Sequence, residues 1–182
     1  ILVKMGPTWK IAFMKKLVGE ESEPTAAREE VARICTAYNA KIISADRGGQ
    51  WESNPILLKQ FGPKKFQSIN LTGDLKQILV WHQAEGYWSA SKTETLSGTF
   101  LALKQRKLSP PAWSVFAKFG EEILNELTVF NDDTGKMKFT HPPSRPDDAL
   151  HSLNFAKISA DIFLGIHAKL PATGFSPRVV TG

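Results

Sequence analysis

The sequence predicts an α/β domain in which a mixed sheet is flanked by helices. Short β-patterned runs alternate with segments of helical period, Gly and Pro mark the changes of period, and hairpin signals stand at both ends. The 182 residues suit one core, and 42% hydrophobic with 23% charged residues excludes a disordered or fibrous chain. No apolar run approaches the ~20 residues needed to cross a bilayer and no leader pattern opens the chain, so a soluble, intracellular protein without a membrane partner is expected.

Each element follows from local signals. Residues 1–5 and the β-branched run 9–18, parted by Gly6-Pro7, read as a hairpin. Pro24-Thr25 opens a helix ending near Asn39, with Ala27, Val31, Ile34 and Tyr38 at i, i+4, i+7 and i+11. Cys35 falls on that face, has no disulfide partner, and is expected in the core. Residues 41–45 form a short apolar strand that stops at Asp46, where Arg47-Gly48-Gly49-Gln50 forces a turn. A short helix over 55–61 ends at Gly62-Pro63, and a strand over 66–71 ends at Gly73; the stretch around Trp81 and Trp88 gives no clear period.

Ser91 with Glu94 is a capping box for a helix running to about Lys107, which Ser109-Pro110-Pro111 stops. Residues 121–130 and 136–141 flank Asn131-Asp132-Asp133-Thr134-Gly135, which predicts an additional β-hairpin near residues 121–141. The last helix follows Ser144-Arg145-Pro146 and runs from Asp147 to about Leu164, with Leu150, Leu153, Ala156 and Ile158 toward the core. The domain is expected to span 1–170, with 171–182 a loose tail.

Carboxylates are the chief candidates for chemistry. Asp46 ends a strand before two glycines, where α/β sheets place ligands, although opening a tight turn would also explain it. Asp147 and Asp148 open a helix, where negative charge suits the dipole and Ser144 with Asp147 resembles a cap. Adjacent carboxylates repel each other unless a cation neutralises them, and hard ions such as Mg²⁺ or Mn²⁺ take oxygen ligands. Two such ions about 4 Å apart stabilise the attacking and leaving oxygens of a phosphodiester.

Other classes fit less well. His82, His141, His151 and His167 lack zinc-site spacing, so they are expected to be structural or exposed, with His151 one helical turn beyond Asp147 and Asp148. No G-x-x-x-x-G-K-[ST] loop is present, which excludes a nucleotide-driven motor from this segment, and no Ser-His-Asp pattern supports an ordinary hydrolase. A net charge of +5 and a pI near 9.3 favour polyanions. Arg47, Lys64, Lys65, Lys92, Lys104, Arg106, Lys107 and Arg145 are candidate phosphate contacts, with Trp51 and Trp88 as flat surfaces nearby; a solvated basic face explains each as well.

The run Ile42-Ile43-Ser44-Ala45-Asp46-Arg47-Gly48-Gly49-Gln50 resembles the second acidic motif of the nuclease domain of viral DNA-packaging terminase large subunits, found in tailed phages and prophages. Arg145-Pro146-Asp147-Asp148-Ala149-Leu150-His151-Ser152-Leu153-Asn154-Phe155-Ala156 resembles that family's final motif and is the more specific match. Residues 54–62, the helix start at Lys92-Thr93-Glu94-Thr95 and the hairpin turn 131–135 occur in the family's order, so the similarity covers about 9–163. The resemblance implies an RNase H-like fold and a two-metal endonuclease that uses Mg²⁺ or Mn²⁺ to cut concatemeric viral DNA during packaging. It implies Asp46, Asp147 and Asp148 as metal ligands and catalytic residues, with Arg47, Lys64, Lys65, Lys92 and Arg145 toward DNA. Double-stranded DNA, an ATPase domain on the same polypeptide, a small terminase subunit and a portal ring are the implied partners, in the cytoplasm of an infected or lysogenic bacterium.

Family members carry a further Asp on the first strand, and none precedes Asp46 here. If 1–5 were that strand, Lys4 would hold its position; the preferred register makes 9–18 the third strand and places the first upstream of Ile1. Two other readings are a non-catalytic DNA-binding or assembly module on the same scaffold, and another RNase H-like nuclease such as a junction resolvase.

Overall fold

The computed structural model describes residues 1–48, 52–73, 75–132 and 135–167. Gly6, at φ +59°, turns β1 (Leu2–Met5) back on β2 (Thr8–Ile11) as an antiparallel pair. The strand expected over 9–18 stops at Ile11. Beyond it Lys15 pairs with Glu21 and Glu30, and Lys16 with Glu122, so the segment's polar ends are held by helices and turns instead of a strand partner.

Helix α1 (Pro24–Ala37) buries Ala27, Ala32 and Cys35. Tyr38 lies past its last turn and is 44% exposed, so the buried stripe is shorter than the sequence suggested. Then follow β3 (Ile43–Asp46), α2 (Ser53–Phe61), β4 (Phe66–Thr72), β5 (Leu79–His82) and β6 (Tyr87–Ser91). These strands form one sheet in the order β3-β4-β6-β5, with β5 alone antiparallel to its neighbour. The stretch without a clear period is therefore a hairpin, in which Trp81 sits opposite Trp88. Trp88 is 1% exposed and its Nε1–H donates to Gln67 Oε1 at 2.8 Å, which makes it core and not a flat outer surface.

Ser91 caps α3 (Lys92–Lys104), accepting the Glu94 N–H, and β7 (Leu108–Ser109) then runs parallel to β2, completing a sheet ordered β1-β2-β7. Residues 121–123, read as strand, instead end helix α4 (Trp113–Ile123), because Phe116, Phe119 and Ile123 at i, i+3 and i+7 bury one helical face. The expected hairpin is β8 (Leu127–Asn131) with β9 (Lys136–Thr140), and α5 (Asp148–Leu164) ends the described chain.

Helix α5 joins the parts. Leu150 and Leu153 pack with Ile11, Leu108, Phe116 and Phe119 beside the first sheet, while Ile158 and Ile162 pack with Ile69, Leu79 and Trp88 of the second. A third cluster, including Cys35, Ile43, Leu57 and Phe66, lies under α1 and α2. Between α5 and α3, Thr99 Oγ1 donates to Asn154 Oδ1 at 2.9 Å and Asn154 Nδ2 donates to Thr95 Oγ1 at 3.1 Å, a buried network that fixes one helix on the other. The architecture is mixed α/β with mixed sheets flanked by helices. The single sheet expected from sequence is divided in two, and β1 and β3, the end strands of the two orders, both pack against α5. Gly49, Gln50, Trp51, the hairpin-tip residues Asp133 and Thr134, and the expected tail 171–182 lie outside the described residues.

Candidate metal centre

The start of α5 is assembled by α4. Asp147 is the N-cap residue, yet its side chain makes no capping hydrogen bond. Glu122 of α4 supplies the cap, accepting the Ala149 N–H at 3.2 Å, so the Ser144–Asp147 cap suggested by sequence is not the one used. Two residues past α4, Asn125 Nδ2 donates to the Pro146 carbonyl at 2.8 Å. This clamp sets Glu126 beside Asp147 and leaves the Asp147 carboxylate uncommitted to the helix end.

Three further side chains gather there. His141, just past β9, places Nδ1 2.9 Å from Asp147 Oδ2 and 3.3 Å from Glu126 Oε2. His151, one turn into α5, places Nε2 2.8 Å from the same Asp147 oxygen. Lys92, the first residue of α3, holds Nζ 2.9 Å from Glu126 Oε1. The Glu126 side chain is 0% exposed. Despite these short approaches, both Glu126 oxygens and Asp147 Oδ2 are buried without a partner in hydrogen-bond geometry. Two buried carboxylates therefore share one lysine ammonium, which approaches only Glu126.

These atoms suit an ion. Glu126, His141 and Asp147 each offer a ligand atom, and the three lie within 4.8 Å of one another, the one such group among the described residues. Bonds of about 2.1 Å put neighbouring ligand atoms about 3.0 Å apart at an octahedral ion and about 3.4 Å apart at a tetrahedral one. The two separations from His141 Nδ1, 2.9 and 3.3 Å, lie close to that range, and all three ligand atoms lie within 4.8 Å of one another.

The residues singled out from sequence fall in different places. Asp147 is 9% exposed and central to the group, whereas Asp148 is exposed. Asp46 is exposed at the end of β3, where Oδ1 accepts the Gly48 N–H at 3.1 Å and its carbonyl accepts Asn54 Nδ2 at 2.8 Å; it therefore performs the turn role, outside the three-ligand group. By strand alternation Asp46 shares a face with Ser44, whose hydroxyl bonds Ser159 in the middle of α5. Ser159 is about 18 Å of helix beyond Asp147. Arg47 lies 3.5 Å over the Tyr87 ring, Lys65 lies 5.1 Å over Phe61, and Lys64 and Arg145 are exposed. Lys92 turns to Glu126.

Sequence reasoning missed Glu126 and His141. The usable signal was hairpin register: Leu127 pairs with Thr140, so the next residues outward on the two strands are Glu126 and His141.

Comparisons with protein-family models, curated proteins and solved structures return no match. No described helix is long and apolar enough to cross a membrane.

Proposed function

We propose that this chain is the nuclease domain of a viral DNA-packaging terminase large subunit, a divalent-metal endonuclease on an RNase H-like scaffold. The carrying observation is Asp147: the acid in the more specific of the two family-like motifs is buried beside Glu126 and His141, with a carboxylate oxygen lacking a hydrogen-bond partner. Buried, partnerless oxygens and a mixed carboxylate–imidazole donor set fit a divalent cation. When bound, such an ion supplies Lewis-acid polarisation of a phosphodiester and a more acidic water.

The remaining work falls to the chain's own groups. Glu126 and Asp147 provide negative charge, and His151 Nε2 stands 2.8 Å from Asp147 Oδ2. Asp148 and Arg145 are exposed, and Arg47, Lys64 and Lys65 are offered as cationic surface to phosphates, with Lys92 at Glu126 the least available of the proposed DNA contacts. The reading also assigns Asp46 a metal-ligand role, and the structure holds that residue outside the three-ligand group, at the end of β3. The RNase H-like reading calls for one mixed sheet, and the structure holds β1-β2-β7 and β3-β4-β6-β5 as separate sheets. The proposed partners are double-stranded DNA, an ATPase domain on the same polypeptide, a small terminase subunit and a portal ring, in a phage-infected or lysogenic bacterial cytoplasm.

The test is cleavage of supercoiled plasmid with Mn²⁺ or Mg²⁺ by the wild type, Asp147→Asn and Asp46→Asn. The reading expects nicked and linear products from the wild type and at least a hundredfold less from Asp147→Asn. Equal cutting by wild type and Asp147→Asn overturns it. The position of Asp46 outside the three-ligand group favours a second reading, a non-catalytic DNA-binding module. That reading expects plasmid binding with no cutting under either metal.

A further inference from the structure

We infer that Glu126, His141 and Asp147 form a one-ion site for a first-row transition cation, with Lys92 as the resident counter-charge that the ion displaces from Glu126. The inference deepens the nuclease reading and rests on it for the site's use, while its test reads metal occupancy and not cutting.

Three independent features point to an ion. The Glu126 side chain is wholly buried and, among the described residues, neither oxygen has a partner in hydrogen-bond geometry, which leaves lone pairs for a cation. The three ligand atoms come from the α4–β8 turn, the end of β9 and the α5 N-cap, so they are placed by separate elements that meet here. The 2.9 and 3.3 Å separations from His141 Nδ1, with all three ligand atoms within 4.8 Å of one another, let a single ion reach all three. An imidazole among the ligands favours transition ions over Mg²⁺, which prefers oxygen and keeps its water. His151 approaches Asp147 Oδ2 at 2.8 Å and lies outside the three-ligand group. His141 at 35% and Lys92 at 30% side-chain exposure leave a route in from solvent.

Lys92 makes the site conditional. Its Nζ reaches Glu126 Oε1, so an arriving dication and the ammonium compete for one carboxylate, and withdrawal of Lys92 to solvent accompanies binding.

Mn²⁺ binding to the 182-residue chain, followed by loss of the free-ion paramagnetic resonance signal, tests this. Expected are one Mn²⁺ per chain, Mg²⁺ competing at least tenfold more weakly, and Mn²⁺ affinity reduced at least tenfold by Glu126→Gln and by His141→Asn. Glu126→Gln keeps the shape, His141 is partly exposed, and circular dichroism verifies the fold of each variant. Lys92→Met is expected to raise affinity severalfold, the outcome a merely structural cluster would not give. Absence of stoichiometric binding, indifference to both ligand variants, or loss on Asp46→Asn in their place overturns the site. Stoichiometric Mn²⁺ lost in both ligand variants, with no plasmid cutting, upholds the site and refutes the nuclease; cutting with undiminished Mn²⁺ binding in both variants does the reverse.

Discussion

Removing the ammonium that faces Glu126, by Lys92→Met, exposes the electrostatic bargain on which the α5 start depends. Met keeps most of the aliphatic stem and its packing, so the lost group is essentially the charge. Breaking a buried pair by deleting one partner typically destabilises by about 3–5 kcal/mol. Glu126 is fully covered, but the Lys92 side chain is 30% exposed and solvent already screens it, so about half of that, near 2 kcal/mol, is the reasonable expectation. For a chain of this length, about 2–4 °C per kcal/mol gives a fall in Tm of about 4–8 °C. Thermal unfolding followed by circular dichroism in EDTA measures it. Mn²⁺ at about a hundred times its Kd should then return about 2.7 kcal/mol to the variant. An unchanged Tm in EDTA would show that Lys92 is not what makes the buried Glu126 tolerable.

Other consequences are independent of the metal. Leu150 is 0% exposed at the junction of α5 with the first sheet, so Leu150→Ala should cost about 3–4 kcal/mol in urea unfolding; a loss under 1 kcal/mol would contradict the packing. Hydrogen bonds from Arg33 and then Lys15 hold the Glu30 carboxyl down to about 2, below its ordinary 4.5. A depressed folded value stabilises above pH 4.5 and loses that contribution as pH falls toward 2, so the urea midpoint of Glu30→Gln should fall less than that of the wild type between pH 6 and pH 3. Burial pushes the Cys35 thiol up, so a disulfide reagent at pH 8 should label it slowly in the native chain and rapidly in urea.

The elements most legible in the sequence were those with local chemistry. Ser91 and Glu94 gave the α3 start, Gly62-Pro63 ended α2, and Asp46 before its glycines ended β3, because caps and turns are settled by a few neighbouring residues. Helix α4 was missed because Trp113 and Val115 are exposed at 65% and 60%, which blurs a stripe that in fact runs through Phe116, Phe119 and Ile123. Missing α4 concealed the candidate site: Glu122 and Asn125, at its end, dispose the start of α5 and bring in Glu126. Among the candidate acids, Asp147 was read as a metal ligand beside Asp148, and the structure sets it among Glu126, His141 and His151. Isolated histidines carry no spacing signal when their partners lie across a hairpin, so only the register of β8 against β9 discloses that His141 faces Glu126.

The three-ligand site is open to an anomalous difference map from a crystal of the chain soaked in Mn²⁺. One strong peak is expected within about 2.0–2.3 Å of Glu126 Oε2, His141 Nδ1 and Asp147 Oδ2, with Lys92 Nζ moved away from Glu126. A map with no peak among those atoms, or with Mn²⁺ held at Asp46 and Asp148 alone, would contradict it.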